Sequence, residues 1–239
     1  MNSIEVEHLT KKFGDFIAVN DISFQVREGE IFGFLGANGA GKTTAIKMMS
    51  GLLQPTSGTA MVAGYNVVTQ SKLIKRNIGY MSQRFSLYND LTVFENMQLF
   101  GTIYKIPRRE LKERIMDSLA RLDMTKQANL LVNSIPLGWK QKLAFATAIL
   151  HKPKIVFLDE PTSGVDPIVR REFWNLIYET ASTGVTILVT THYMDEAEYC
   201  HRISIMADGV IRLLGTPDEL KKQVGVNTIN DVFVEYVKH

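Results

Sequence analysis

Gly36, Gly41, Lys42 and Thr43 stand at the spacing G-x-x-x-x-G-K-[ST] within the run GANGAGKTT, residues 36–44. A glycine-rich turn of this kind, carrying Gly36, Ala37, Asn38, Gly39, Ala40 and Gly41, lets successive backbone N–H groups converge on a phosphate. The helix that follows, opening at Thr43 and Thr44, adds the positive end of its dipole. Lys42 suits a contact to β- and γ-phosphates, and the Thr43 hydroxyl suits Mg²⁺. Two acids, Asp159 and Glu160, close the apolar run IVFL. Asp159 suits Mg²⁺, directly or through water, and Glu160 suits orienting and polarising an attacking water. His192 follows the run VTILVT, where an imidazole could bond the γ-phosphate or the water. Gln83 ends the run IGYMS, where an amide could sense Mg²⁺ or the water.

Strands must deliver these groups. EIFGFLG reads as a buried strand before the glycine turn, and TTAIKMMSGLL, residues 43–53, as the helix after it. Residues 155–160, 185–190, 203–206 and 210–214 read as further strands. Helices are expected over 170–180, near 194–200 and in the closing TINDVFVEYVKH. This alternation predicts an α/β fold with a mainly parallel sheet covered on both faces. The acids and His192 then emerge at carboxyl ends of strands, where open α/β sheets bind ligands. Ahead of the glycine turn, short runs at 4–9, 17–19 and 22–26, broken by KKFGD, ND and REGE, predict an antiparallel meander. Residues 54–67 read as turn, strand, turn, and suggest a small β-layer. From Thr92 to Leu150 the period becomes helical: Val93, Met97 and Phe100 share a face, as do Leu111, Ile115, Leu119 and Leu122. The expected organisation is a core formed by residues 1–83 and 151–239 with a helical subdomain at 84–150.

Composition bounds the function. At 239 residues with net charge +2, 45% hydrophobic and 22% charged, the chain reads as a soluble globular protein with no strong case for nucleic acid. The cluster Lys105, Arg108, Arg109 lacks interleaved aromatics and reads as a solvated helix start. The single cysteine, Cys200, cannot form an internal disulfide. No secretion signal is read at the start, and no apolar run approaches the ~18 residues a spanning helix needs. Work at a membrane would require another chain to cross it.

The ordered set resembles the nucleotide-binding domain of ATP-binding-cassette (ABC) transporters across almost the whole chain. GANGAGKTT looks like Walker A, IVFLDE like Walker B and Gln83 like the Q-loop residue. SGVD, with Ser163 and Asp166, looks like the D-loop, and His192 like the switch histidine. Phe13, in KKFG, sits where the family places an aromatic on adenine. LTVFENMQLFGTIYKI and the C-terminal segment resemble the ABC-2 exporter group, which includes drug-resistance exporters. The resemblance implies a P-loop NTPase core with antiparallel β- and helical subdomains, and ATP with Mg²⁺ held by Thr43, Gln83 and Asp159. It implies a second ATPase subunit, homo- or heterodimeric, and an ABC-2-type membrane permease. The place of work would be the cytoplasmic face of the cell membrane, peripherally through that permease, and the direction export.

One motif departs from the family. Where it carries an LSGGQ-type signature that contacts the γ-phosphate held by the opposite subunit, this chain reads Ile135-Pro136-Leu137-Gly138-Trp139. Pro136 offers neither hydroxyl nor N–H, and Leu137 adds bulk. Gly138 and the helix N-terminus keep N–H groups and a favourable dipole. Low basal turnover is therefore expected, and Pro136→Ser with Leu137→Gly should raise it. The alternatives are an ATP-gated dimerising switch with little hydrolysis and a soluble ABC ATPase outside transport.

Overall fold

Gly14 and Asp15 close a hairpin between β1 (Asn2–Phe13) and β2 (Phe16–Arg27), which pair antiparallel from Asn2↔Arg27 to Phe13↔Phe16. The computed structural model describes residues 1–83 and 86–237. The predicted meander of three short strands is thus two strands of 12 residues each. The dipeptide ND is a bulge and not a turn. His8 and Asp21 take positive φ (51° and 52°), the Asp21 N–H donates to the Thr10 hydroxyl, and His8 Nδ1 lies 2.7 Å from the Asp21 carboxylate. An inserted residue with its own side-chain partners kinks a strand without ending it. Beyond β3 (Ile31–Leu35), β4 (Ser57–Val62) pairs with β1 and β5 (Tyr65–Asn66) with β4, giving the order β2-β1-β4-β5.

β3 belongs to a six-stranded sheet with β6 (Ile78–Met81), β7 (Ile155–Asp159), β8 (Thr186–Thr191), β9 (Arg202–Ala207) and β10 (Val210–Gly215), in the order β10-β9-β3-β8-β7-β6. Every pairing is parallel except β9 with β10. The mainly parallel sheet expected from the sequence is therefore present. β3, β7 and β8 are buried at every position, the outcome expected of continuous apolar runs covered on both faces. One face carries Phe32 and Phe34, packed with Phe24, Ile46 and Met49 beneath the antiparallel sheet. The other carries Ile31 and Leu35, packed with Phe145, Phe173, Trp174 and Ile177.

α1 (Lys42–Met49) stops short of the predicted Leu53, because Gly51 turns left-handed at φ 69° and the Leu52 and Leu53 amides fold back onto the Lys47 carbonyl. α2 (Ser71–Asn77) buries only Ile74 and was not predicted. The helical reading of 92–150 resolves into α3 (Val93–Ile103), α4 (Arg108–Arg121) and α5 (Leu137–Ile149), with two single 3-10 turns between the last two. A Thr92–Glu95 capping box opens α3. Val93, Met97, Leu111, Ile115, Leu119 and Leu143 form a third cluster among these helices, with Leu122 packed against it. α6 (Pro167–Ser182) starts earlier than predicted, capped by Asp166 with proline in its first turn. Residues 194–199 form a 3-10 helix. α7 (Pro217–Val224), also unpredicted, precedes α8 (Ile229–Val237). Lys238 and His239, at the end of the predicted last helix, lie outside the described residues.

Candidate functional site

β3 ends at Leu35 and α1 begins at Lys42, so residues 36–41 form a tight turn over the carboxyl edge of the parallel sheet. Two of its glycines are dictated by backbone. A Cβ on Gly36 would lie 2.4 Å from the Met206 carbonyl oxygen, and one on Gly41, at φ 102°, 2.4 Å from that of Ala18. No side chain caps α1, so its first N–H groups face the turn. Lys42, 4% exposed, donates from Nζ to the Gly36 and Ala37 carbonyls at 2.7 and 3.0 Å. Burial lowers its pKa, against the pull of the Glu160 and Asp159 charges.

The acids arrive on β7. Asp159 Oδ1 accepts from the Thr190 hydroxyl at 2.8 Å and from the Thr43 hydroxyl at 3.1 Å. Burial raises its pKa, and those two bonds hold it down. Two hard oxygens this close beside the turn fit magnesium, which takes oxygen ligands. Glu160 follows at φ 49°, a left-handed conformation uncommon for a side-chain-bearing residue. Its N–H donates to the Thr190 hydroxyl at 2.9 Å. Its carboxylate gathers three predicted residues. Oε2 accepts from Gln83 Nε2 at 2.9 Å and from His192 Nδ1 at 3.1 Å, while Oε1 lies 4.0 Å from Lys42 Nζ. These groups come from β3–α1, β6, β7 and β8, far apart in sequence.

Phe16 and Ala18 line the cleft with Asn38, Gly39, Ala40, Gly41, Lys42, Thr43, Thr44, Gln83 and Glu160, around a volume of about 460 Å³. Phe13 is not among them. It stands opposite Phe16 in the hairpin register, half-exposed, with Lys11 Nζ 5.1 Å from its ring centre. Phe16 was missed by the sequence reading, although F-G-D-F across a two-residue turn signals that the two rings share a register.

The predicted signature lies outside that lining. Pro136 occupies the position before α5, and its carbonyl accepts from the Trp139 and Lys140 amides. Gly138 is buried and Leu137 43% exposed. Ser134, two residues before Pro136, donates its hydroxyl to the Leu131 carbonyl in its own turn. Ser163 donates its N–H to the Glu160 carbonyl, and Asp166 accepts from the Ile168 and Val169 amides as the cap of α6. Three residues escaped the sequence reading. Gln141 Nε2 donates to the Ser163 carbonyl at 3.2 Å. Arg170 stacks over Tyr193 at 3.9 Å and lies 3.6 Å from the fully buried Glu196, which accepts from the Thr162 hydroxyl. No periodicity marks any of the three, because their partners lie on other elements.

A glycine turn between strand and helix, with an acid pair and a histidine at neighbouring strand ends, defines a P-loop nucleotide-binding protein. The chain belongs to the ABC transporter family, whose match spans residues 19–163. It is 50% identical over 220 residues to the probable multidrug ABC transporter ATP-binding protein YbhF of Escherichia coli (strain K12), covering 92% of this chain but 38% of that protein. With the linearmycin resistance ATP-binding protein LnrL of Bacillus subtilis (strain 168) it shares 36% identity over 227 residues, 95% of this chain and 73% of LnrL. A solved ATP-binding subunit of an ABC transporter superposes with a TM-score of 0.88 at 28% identity, covering 98% of each chain. Among the described residues no helix is long and apolar enough to cross a membrane.

Proposed function

We propose that this chain binds Mg-ATP over residues 36–44, hydrolyses it, and powers export through a separate ABC-2-type membrane subunit. The observation that carries the reading is the Glu160 carboxylate, held by Gln83 and His192 beside Lys42. The turn amides and Lys42 bind the phosphates. Thr43, Asp159 and Gln83 would hold Mg²⁺, which would neutralise charge on the phosphates. Because Oε2 of Glu160 is engaged by Gln83 and His192, Oε1 is the oxygen left to take a proton from the attacking water. Phe16, with Phe13 beside it, offers a π-face to adenine. A second ATPase subunit, identical or related, closes head-to-tail, its residues 136–138 facing the nucleotide and Ser163 and Asp166 at the seam.

Residues 84–150 act as the helical subdomain that meets the membrane subunit on the cytoplasmic face. Between α2 and α3 lies a groove of about 610 Å³ lined by Leu52, Lys75, Tyr80, Phe100, Ile103 and Tyr104. Tyr80 is on β6, the strand that runs on to Gln83, so occupancy of this groove has a short path to the Glu160 carboxylate. The resistance functions in the names of similar proteins favour export.

The test is phosphate release at saturating Mg-ATP. Glu160→Gln should keep ATP affinity while turnover falls by about 10²-fold or more, and should trap an ATP-bound dimer on size exclusion. Equal turnover in the two proteins would return Glu160 to a structural role. A second reading, an ATP-gated dimerising switch, is favoured by Pro136 at the start of α5, which offers neither a hydroxyl nor an N–H there. Wild-type protein that dimerises on ATP without measurable turnover would select it.

A further inference from the structure

The opening turn of α5 is built against its own chain. Gly138 runs so close to α6 that a Cβ there would lie 2.6 Å from Val169 Cγ1. Leu137 Cδ2 stands beside Gly164, 3.6 Å from the point where a Cβ on that glycine would lie. One turn further, Gln141 is 1% exposed and donates from Nε2 to the Ser163 carbonyl. Its neighbour Lys142 reaches Glu172 on α6 at 2.7 Å. Positions 137–138 and 141–142 are one helical turn apart and share a face. The segment they grip, residues 163–169, hangs directly from Glu160, whose carbonyl accepts the Ser163 N–H. Glu160 itself sits at φ 49°, a conformation that persists where the surroundings impose it.

We propose that Leu137 and Gln141 are positioning residues that clamp residues 163–169 of their own chain and so hold Glu160 with its carboxylate turned to Gln83 and His192. This rests on the role proposed for Glu160 above. It also reverses the expectation for the altered signature. Glycine at 137 would remove the side chain lying on Gly164, so Pro136→Ser with Leu137→Gly should lower turnover.

The test uses the full chain with Leu137→Ala, Leu137→Met and Gln141→Met, the last keeping volume while losing the donor. Two quantities are read: hydrogen exchange of the 160–169 amides without nucleotide, and the kcat–KM pair for Mg-ATP. Melting temperature checks that each variant is folded. Leu137→Ala and Gln141→Met should speed exchange at Ser163 and Val165 about tenfold and lower kcat by a similar factor, with KM within about twofold. Leu137→Met should restore both quantities nearly to wild type. Unchanged exchange in Leu137→Ala and Gln141→Met overturns the clamp, whatever becomes of Glu160. Faster exchange with unchanged kcat breaks its link to Glu160 and overturns the positioning role. A higher kcat in the Leu137→Gly double variant also overturns it.

Discussion

Neither α1 nor α5 has a side-chain cap, but α1 begins on Gly41, left-handed at φ 102°, whereas α5 begins behind Pro136 at φ −59° and ψ 157°. At the first helix the small residues face backbone: Gly36 meets the Met206 carbonyl and Gly41 that of Ala18. At the second, Gly138 faces a valine side chain and Leu137 lies over Gly164. Around α1 the neighbours are polar and convergent; around α5 they are mostly apolar and belong to the next helix. Main chain cannot yield, and side chains can. An added methyl is therefore blocked at the first turn and met by a movable side chain at the second.

The largest effect should come from losing Arg170, the residue after the Val169 that Gly138 faces. Arg170→Ala strands the Glu196 carboxylate, fully buried and 3.6 Å from the guanidinium. Breaking a buried pair costs about 3–5 kcal/mol. With Arg170 partly exposed, urea unfolding should show a loss near the lower end. A shift below ~1 kcal/mol would mean that Thr162 alone satisfies Glu196.

Next, the glycines can be set against each other. Gly36→Ala drives a methyl into the Met206 carbonyl, so destabilisation should come to about 2–3 kcal/mol and resist rescue. Gly138→Ala meets only Val169, should cost about 1–3 kcal/mol, and should be largely recovered by Val169→Ala. Equal losses, or no recovery in the double variant, would erase the distinction between rigid and yielding neighbours.

The smallest effect lies beyond the far end of α5. His151 stacks on Tyr104 at 3.7 Å and bonds the Ile78 carbonyl; burial pushes its pKa down to about 4, with the hydrogen bond opposing. The unfolded chain takes a proton near pH 6.5, where the folded chain does not. Between those values the unfolded state binds more protons, so stability should fall as pH drops from about 6.5 to about 4. Melting curves at pH 7 and pH 5 should show this loss, reduced in His151→Phe, which keeps a ring on Tyr104. An equal drop in both proteins would assign the pH response to other groups.

Most of the six-stranded sheet was legible because its strands are continuous apolar runs, and Gln83, Asp159, Glu160 and His192 were legible because they close those runs. Elsewhere a local signal existed and was passed over. Thr216, Pro217, Glu219 and Gly225 carry a capping box, a first-turn proline and a left-handed C-cap, which together announce α7. α2 gave no such sign, since one buried residue makes no period. β1 and β2 read as fragments because bulges at His8 and Asp21 break the alternation without breaking the strand. Gln141, Arg170 and Glu196 were out of reach: each looks like an ordinary polar helix residue until a distant segment packs upon it.

The place of β3 in its sheet has a consequence for how the protein is made. Ile31 pairs with Ile187 on one side, and Phe32 with Arg202 on the other. At about 5–20 residues per second, a ribosome leaves β3 without either neighbour for roughly 8–30 s. The β1–β2 hairpin, joined by two residues, can form at once. The apolar strand that leads into the glycine turn cannot, and both its edges stay open until β8 has been made. The glycine turn is thus made early and fixed late, since the sheet that positions it closes only when residues 186–207 join β3.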